Sequence, residues 1–293
     1  MKKFLSPLCV LWVFLLFAGC REIPPTIDFS PKLNYKTSVS ASIPMAQKTK
    51  IFIEDLTGVK CPGCPNAAIR LKAISDANPG NVIALAVYSF SLAPLTSPWK
   101  DFDTLNTKDA DDIFSNIYES PTAIPMGGVN RTIFNGETSV TLSSTKWSGY
   151  ADVIKVMESP VVISSEIVSY DSNTYKAIVH LTVSFAKSYS EELNLSIYLT
   201  ESKIISKQRM PDGSDKDDYE HNHVLRKTIT SFPLKITKDI IGNYEAGRLF
   251  EVDDFEVQLN KKWKKENCAF AIIVHRSDTK SKEVVQAAEL VLQ

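Results

Sequence analysis

Residues 51–65 read Ile51-Phe52-Ile53-Glu54-Asp55-Leu56-Thr57-Gly58-Val59-Lys60-Cys61-Pro62-Gly63-Cys64-Pro65. The first six are largely apolar and predict a strand that ends shortly before a Cys-x-x-Cys motif. Pro62 and Pro65 suit the first turn of a helix, where a backbone N–H has no intrahelical partner. Small and apolar residues at helical spacing follow, and Pro79-Gly80 ends the pattern. The two cysteines therefore lie where a strand passes into a helix.

The sequence after this helix completes a βαβ unit and adds a hairpin. Val82 to Val87 is a near-continuous apolar run, which is typical of a strand buried on both faces of a sheet. A further strand is expected to follow Ile124-Pro125, and Asn135-Gly136 is a strong signal for a tight hairpin turn. The elements expected to complete this part are a strand over 137–142 and a helix over 144–157.

This order of elements resembles the thioredoxin superfamily. The resemblance implies that Cys61 is the nucleophilic and more exposed cysteine, that Cys64 is the resolving thiol, and that the two form a disulfide. Asp55, six positions before Cys61, matches the buried acid that moves the proton of Cys64. Pro125 matches the family's cis-proline, which completes the implied catalytic set. A helix N-terminus stabilises a thiolate, which is why this chemistry places its cysteines there.

Three interpretations of Cys61 and Cys64 stay open at the level of sequence. The pair could form a structural disulfide that staples the helix start, as is common in an oxidising envelope. The strand-motif-helix context favours working redox chemistry equally. A zinc site would need ligands from elsewhere, because tetrahedral zinc takes four. Lys60 stands where thioredoxins carry Trp, and Pro62-Gly63 reverses the usual Gly-Pro pair, so the redox direction is open.

The N-terminus predicts export and a lipid anchor. Two lysines precede an apolar run from Leu8 to Ala18, which is too short to span a bilayer and is typical of a signal peptide. Leu16-Phe17-Ala18-Gly19-Cys20 resembles the lipobox of bacterial lipoproteins, which implies cleavage after residue 19 and acylation of Cys20. The partner of this end is then a lipid bilayer. The alternative is an ordinary cleaved signal followed by an accidental cysteine.

Composition shifts divide the remaining chain into three parts. Residues 20–47 are rich in Pro, Ser and Thr without a sustained period, and they predict a tether. Residues 48–159 form the expected α/β domain with the thioredoxin-like fold. From 160 to 293 the pattern changes to alternation, and seven or eight strands at this spacing predict an all-β domain, an immunoglobulin-like β-sandwich. It lacks the Cys-Trp-Cys pattern of antibody domains.

The remaining candidate residues favour structural roles. His221 and His223 would share one face of a strand, a spacing that metals use. Two ligands do not close a metal site, and the acidic stretch before them lacks the ligand order of an EF-hand, so hydrogen-bonding histidines beside a solvated loop are the preferred interpretation. Cys268 begins an apolar strand and is expected to be a small buried hydrophobe. No metal or other cofactor is predicted.

Composition limits the partners and the number of domains. The chain has 293 residues, a formal net charge of −1 and 44% hydrophobic residues. Without a basic stripe or a zinc-finger spacing, nucleic acid is not an expected partner. A chain of this length is also more typical of two domains than of one.

The mature chain as a whole resembles the Omp twenty-eight family of outer-membrane lipoproteins from Bacteroidetes. The residues that carry the resemblance are 54–65, Pro125 with Asn130-Arg131, His221 to Arg226, and Glu283 to Ala287. It implies a lipid-anchored outer-membrane protein, on the periplasmic side or exposed at the surface. The leading expectation is thiol-disulfide exchange on envelope proteins, which makes the chain a candidate oxidoreductase. The alternative is a non-catalytic binding or adhesion lipoprotein in which the disulfide is structural.

Overall fold

The computed structural model describes residues 33–230, 234–277 and 282–292. The predicted signal peptide, Cys20 and the first part of the predicted tether lie outside them. The described chain is mostly β and forms several sheets. Its strands are β1 (Tyr35–Val39), β2 (Gln47–Lys48), β3 (Ile51–Leu56), β4 (Val82–Val87), β5 (Met126–Val129), β6 (Glu158–Ser159), β7 (Val161–Asp171), β8 (Lys176–Phe185), β9 (Leu193–Glu201), β10 (Ile204–Arg209), β11 (Asp215–His221), β12 (Val224–Thr228), β13 (Leu234–Lys235), β14 (Arg248–Gln258), β15 (Cys268–Arg276) and β16 (Val284–Val291). Its α-helices are α1 (Cys64–Ala77), α2 (Ala93–Thr96), α3 (Lys108–Asn116), α4 (Trp147–Ile154) and α5 (Lys238–Ile241).

One large sheet runs through the molecule in the order β16-β15-β9-β12-β4-β3-β5, with β13 paired to β9. The predicted strands 51–56 and 82–87 are confirmed as β3 and β4, which are parallel, and β5 is antiparallel to β3. Strand β12 joins this part to the second half of the chain, because Val224 pairs in parallel with Ala86 while the rest of β12 pairs with β9. Strands from both halves of the sequence therefore share one sheet.

Helices cover both faces of the β3–β4 region. Helix α1 begins at Cys64 as predicted, and it buries Ala67, Leu71 and Ile74 against the sheet together with Trp147 of α4. Helix α3 packs on the opposite face, where Ile113 and other apolar side chains meet residues of β4, β12 and β15. Because α3 contacts strands from both halves, the apolar core beneath it continues across the β4–β12 junction.

A second sheet, in the order β1-β14-β8-β7, packs on the far part of the large sheet. Strand β8 alternates buried and half-buried residues, so that Val179, Leu181 and Val183 point toward side chains of β9 and β15 such as Leu195 and Phe270. This alternation is the pattern that the sequence shows after residue 160. The two sheets enclose the largest apolar cluster of the described chain.

Three predicted elements need correction. The strand over 137–142 is reduced to one isolated bridge between Leu142 and Gly127, because Asn130 and Arg131 adopt left-handed φ values of 49° and 50° and turn the chain away from β5. The helix over 144–157 is a short 3-10 turn followed by α4, since the chain must reach the pairing of β6 with β2. The acidic stretch before His221 is strand β11, not a loop.

Candidate functional site

Cys61 and Cys64 form a disulfide at the start of α1. The motif follows the end of β3 by a few residues, and the Cys64 backbone N–H donates to the Cys61 carbonyl at 3.3 Å. Only 1% of Cys61 and 2% of Cys64 are exposed. The expectation that Cys61 is the more exposed cysteine is therefore wrong. Two segments that are distant from the motif in the sequence cover its loop.

The β10–β11 hairpin covers the loop that holds Cys61. The buried Gln208 side chain donates from Nε2 to the carbonyl oxygens of Cys61 at 3.1 Å and Gly58 at 3.3 Å. The backbone N–H of Arg209 also donates to the Val59 carbonyl at 2.9 Å. The hairpin could have been recognised from its turn, since Pro211-Asp212-Gly213 is a turn signal between two polar segments.

Residues after β4 add a second layer over the same loop. The Lys60 backbone N–H donates to the Leu95 carbonyl at 2.9 Å, and Trp99 Nε1 donates to the Val59 carbonyl at 3.3 Å. The charged ends of Lys60, Lys207 and Arg209 lie 4.8, 5.2 and 5.3 Å from the centre of the Trp99 ring. Cations over an indole face are attracted by its quadrupole, so Trp99 holds the motif loop and the hairpin together.

Removing the Gln208 amide is expected to expose the disulfide. A Gln208→Ala variant loses two hydrogen bonds to the motif loop, which lowers the free energy needed to open the hairpin. We therefore expect dithiothreitol to reduce the disulfide roughly tenfold faster in this variant. The matched control is Gln258→Ala, since Gln258 Nε2 also donates to three backbone carbonyls, at Thr174, Tyr175 and Leu259, and Gln258 lies far from the motif in the sequence. Equal reduction rates in both variants would contradict a covering role for the hairpin.

Pro125 lies against the Cys-x-x-Cys turn. The Ile124–Pro125 peptide bond is cis, as the sequence resemblance implied. A Cβ built on Gly63 would lie 3.2 Å from Pro125 Cδ, which is tighter than ordinary van der Waals contact. Gly63 is therefore the residue in the motif that lets the proline ring approach. The structure thus brings Pro125 beside the cysteine pair.

Asp55 lies in a cavity next to Cys64. The cavity has a volume of about 530 Å³ and is bounded by α1 on one side and β11 on the other. Its lining includes Asp55, Cys64, Tyr88, Gln208, Tyr219 and His221, but not Cys61. Asp55 is 3% exposed, its Oδ1 has no hydrogen-bond partner, and burial raises the pKa of its carboxyl to about 7. The predicted acid is thus buried beside Cys64, with a pKa near neutrality.

His221 forms a buried pair with Tyr88 on the wall of this cavity. The distance between Tyr88 Oη and His221 Nδ1 is 2.8 Å. Burial lowers the pKa of His221 to about 4, and burial together with the nearby Asp55 raises the pKa of Tyr88 well above its ordinary value. Both side chains are therefore uncharged at neutral pH. This pair was not recognised from the sequence, because its members are 133 residues apart.

The two histidines do not share a strand face as predicted. His221 ends β11, whereas His223 lies in the turn before β12 with a φ of 56°, and its carbonyl accepts from the Ala86 backbone N–H at 2.8 Å. Burial lowers the pKa of His223. Among the residues that the structure describes, no group of three or more His, Cys, Asp or Glu could hold a metal ion.

The other cysteine singled out in the sequence behaves as expected. Cys268 is fully buried at the start of β15, and its Sγ donates to the Lys264 carbonyl at 3.3 Å. Burial raises the pKa of its thiol to about 12, so a thiolate does not form there near neutral pH. Cys268 is thus a small buried packing residue.

A buried ion pair lies on the opposite face of β3 from Asp55. Arg131 and Glu54 are both fully buried, with Nε to Oε2 at 2.8 Å and a second contact from the guanidinium to Oε1 at 2.5 Å. Tyr118 donates to the same carboxylate at 2.6 Å, and Arg131 donates to the Tyr198 hydroxyl at 3.0 Å. Burial lowers the pKa of Arg131, but the Glu54 carboxylate together with Tyr198 and Tyr118 outweighs this effect, and the pKa lies well above its ordinary value. The sequence analysis did not predict this network.

The fold and the site define a mostly β protein with a buried Cys-x-x-Cys disulfide at a strand-to-helix junction. The family model described as outer membrane protein Omp28 matches residues 111–292. The chain belongs to the Omp28 family. The matched region begins after the cysteine motif and includes the β10–β11 hairpin and the strands from β5 to β16.

Two solved structures share the fold at low sequence identity. HBP35 of Porphyromonas gingivalis superposes with a TM-score of 0.63 at 16% identity, covering 85% of this chain and 77% of its own. Protein AGR_C_4864 from Agrobacterium tumefaciens superposes with a TM-score of 0.52 at 12% identity, covering 84% of this chain and 96% of its own. A search of curated proteins finds no match. Within the described residues, no helix has the length and apolar character needed to span a bilayer.

Proposed function

We propose that this Omp28-family protein is a lipoprotein of the outer membrane, anchored through Cys20, whose thioredoxin-like half exchanges its Cys61–Cys64 disulfide with thiols of the cell envelope, envelope proteins among them. The observation that carries the proposal is the unpaired carboxyl of Asp55 in the same cavity as Cys64. A buried carboxyl without a hydrogen-bond partner is costly to the fold. A structural disulfide has no need of it, whereas thiol chemistry needs a proton acceptor at this place.

The disulfide, the start of α1 and Asp55 supply the groups that thiol-disulfide exchange requires. A substrate thiolate attacks one sulfur of the disulfide, a mixed disulfide forms, and the electron pair of the broken S–S bond remains on the other cysteine. A thiolate at Cys64 lies in the first turn of the 14-residue helix α1, where the free N–H groups and the dipole stabilise it. Asp55 then holds the proton that the Cys64 thiol gives up, because its pKa of about 7 lies near the working pH.

A second candidate function is a non-catalytic binding or adhesion module. The observation in its favour is that both cysteines are almost completely buried, which suits a structural disulfide. In that case, a Cys61→Ser/Cys64→Ser double variant would be less stable by about 2 kcal/mol, as expected for the closure of a very short loop, and would bind its partner as before.

Trapping of mixed disulfides separates the two functions. Each single variant, Cys61→Ser and Cys64→Ser, keeps one thiol that can capture a partner but cannot release it. We expect at least one of them to accumulate mixed disulfides with thiols of the envelope, detected on non-reducing gels for protein partners and by intact-mass spectrometry for small thiols, and absent from the double variant. If neither single variant accumulates adducts above the level of the double variant, the exchange proposal fails and the structural role is favoured.

A further inference from the structure

We propose that the cavity beside Cys64 binds low-molecular-weight aminothiols, which carry a thiol and an ammonium group, and that they exchange with the disulfide by attack at Cys64. This inference rests on the proposed function and names the substrate class of the same site. It follows from which cysteine lines the cavity, from the size of the cavity and from the carboxyl on its wall.

Access favours a small molecule and the second cysteine of the motif. Cys61 is covered by the Gln208 amide and by the layer that includes Trp99. Cys64 lines a cavity of about 530 Å³, within the range of ~300–1,000 Å³ that is usual for small-ligand sites. A cysteine on the surface of a folded protein would have to displace the hairpin, whereas a molecule of a few heavy atoms fits the existing space.

The charge at the base of the cavity selects an ammonium group. Asp55 is 97% buried, and its Oδ1 lacks a donor, so a ligand that brings N–H groups and a positive charge would satisfy it. The groups near it from β4 and β11, namely Tyr88, Tyr219 and His221, are neutral near pH 7. Of the charged residues on the cavity wall, Lys72 pairs with Asp76 at 2.7 Å on α1, and Lys216 and Glu220 on β11 carry opposite signs.

The chemical step is balanced without a further reagent. The aminothiol loses its proton to solvent, and its thiolate forms a new S–S bond with Cys64 Sγ. The Cys61–Cys64 bond breaks, and its electron pair leaves on Cys61 Sγ as a thiolate. The aminothiol sulfur is oxidised to a mixed disulfide and Cys61 is reduced. When the reduced protein is oxidised instead, a Cys64 thiolate attacks the disulfide form of the aminothiol, the same mixed disulfide forms, and one aminothiol leaves as a thiolate.

Reduction rates of the purified protein test the charge preference. The rates at which cysteamine and uncharged 2-mercaptoethanol reduce the protein are measured at pH 8. Each rate is divided by the rate at which the same thiol reduces a free Cys-Pro-Gly-Cys peptide disulfide, because this ratio removes differences in the reactivity of the two thiols. We expect a preference of about tenfold for cysteamine, the scale of one hydrogen bond to a charged group. Asp55→Asn should abolish the preference, and the control Glu220→Gln, an exposed carboxylate on the same wall, should keep it.

The position of attack is tested in the reverse direction with cystamine, the disulfide of cysteamine. Cys61→Ser protein, which keeps Cys64, should form the cysteamine adduct at least tenfold faster than Cys64→Ser protein, as followed by intact-mass spectrometry. Equal rates for charged and uncharged thiols, or faster coupling at Cys61, would overturn the aminothiol inference while leaving exchange itself in place. If no thiol reduces the native protein, both the aminothiol inference and the proposed function fail.

Discussion

An Arg131→Met variant is expected to lose about 3–5 kcal/mol of unfolding free energy, because it leaves the Glu54 carboxylate charged and buried without its partner. Both side chains of the pair are at most 1% exposed, and the guanidinium meets the carboxylate through two contacts, at 2.5 and 2.8 Å. Arg131 also donates to the Tyr198 hydroxyl at 3.0 Å. Chemical denaturation at neutral pH measures the change.

Two further variants show whether the effect comes from the buried charge. A Glu54→Leu/Arg131→Met double variant should lose less than the sum of the two single losses, by at least about 2 kcal/mol, since neither charge is then left unpaired. Lys108→Met, which removes an exposed i,i+4 pair with Asp112, should change stability by less than about 0.5 kcal/mol. Additive losses in the double variant would mean that the two side chains act independently.

An Asp55→Asn variant is expected to be more stable than the natural protein at alkaline pH and about equal to it at pH 4. Burial raises the pKa of Asp55 from 3.8 to about 7 in the folded state. The folded state therefore binds the proton more tightly than the unfolded chain, so stability is greatest at low pH and falls as pH rises between these values. This rise in the pKa of Asp55 lowers the unfolding free energy of the natural protein by about 4 kcal/mol at pH 8. The Asp55→Asn substitution removes this loss, because its amide does not ionise.

Unfolding free energies measured from pH 4 to pH 8 test whether stability falls with rising pH as expected. The difference between Asp55→Asn and the natural protein should grow steadily through this range and level off above pH 7. Asp76→Asn serves as the control, because Asp76 is exposed and its pair with Lys72 is worth less than about 0.5 kcal/mol. A variant that loses stability at pH 8 would show that the Asp55 carboxylate is stabilised by contacts other than those seen in the cavity.

Local patterns in the sequence were sufficient for the elements around the motif. The continuous apolar run Val82–Val87 predicted β4 with its correct bounds, and the prolines next to the cysteines predicted that α1 starts at the motif, because burial on both faces and the helix N-terminus leave local signals. The strand expected over 137–142 failed for a non-local reason. Arg131 turns into the core to meet Glu54, and this turn takes the following residues out of register with β5.

The candidate site could be predicted only in part. Asp55 and the cysteines are close in sequence, so their grouping followed from the motif. The burial of Cys61 did not, because its cover comes from Gln208, which lies 147 positions away, and from Trp99. Contacts between such distant segments leave no local period in the sequence. For the same reason, the pairing of Tyr88 with His221 and the cavity beside Cys64 emerged only from the folded structure.

We propose that the Cys61–Cys64 disulfide takes part in exchange and is not a permanent structural cross-link. The reduction potential of this pair, measured by equilibration of the purified protein with dithiothreitol or glutathione buffers, tests it most directly. Structural disulfides of exported proteins have potentials below about −300 mV, while exchange proteins lie between about −270 and −120 mV. We expect the Cys61–Cys64 pair to have a potential in the second range. A potential below about −300 mV, or a disulfide that no buffer reduces while the protein is folded, would contradict it.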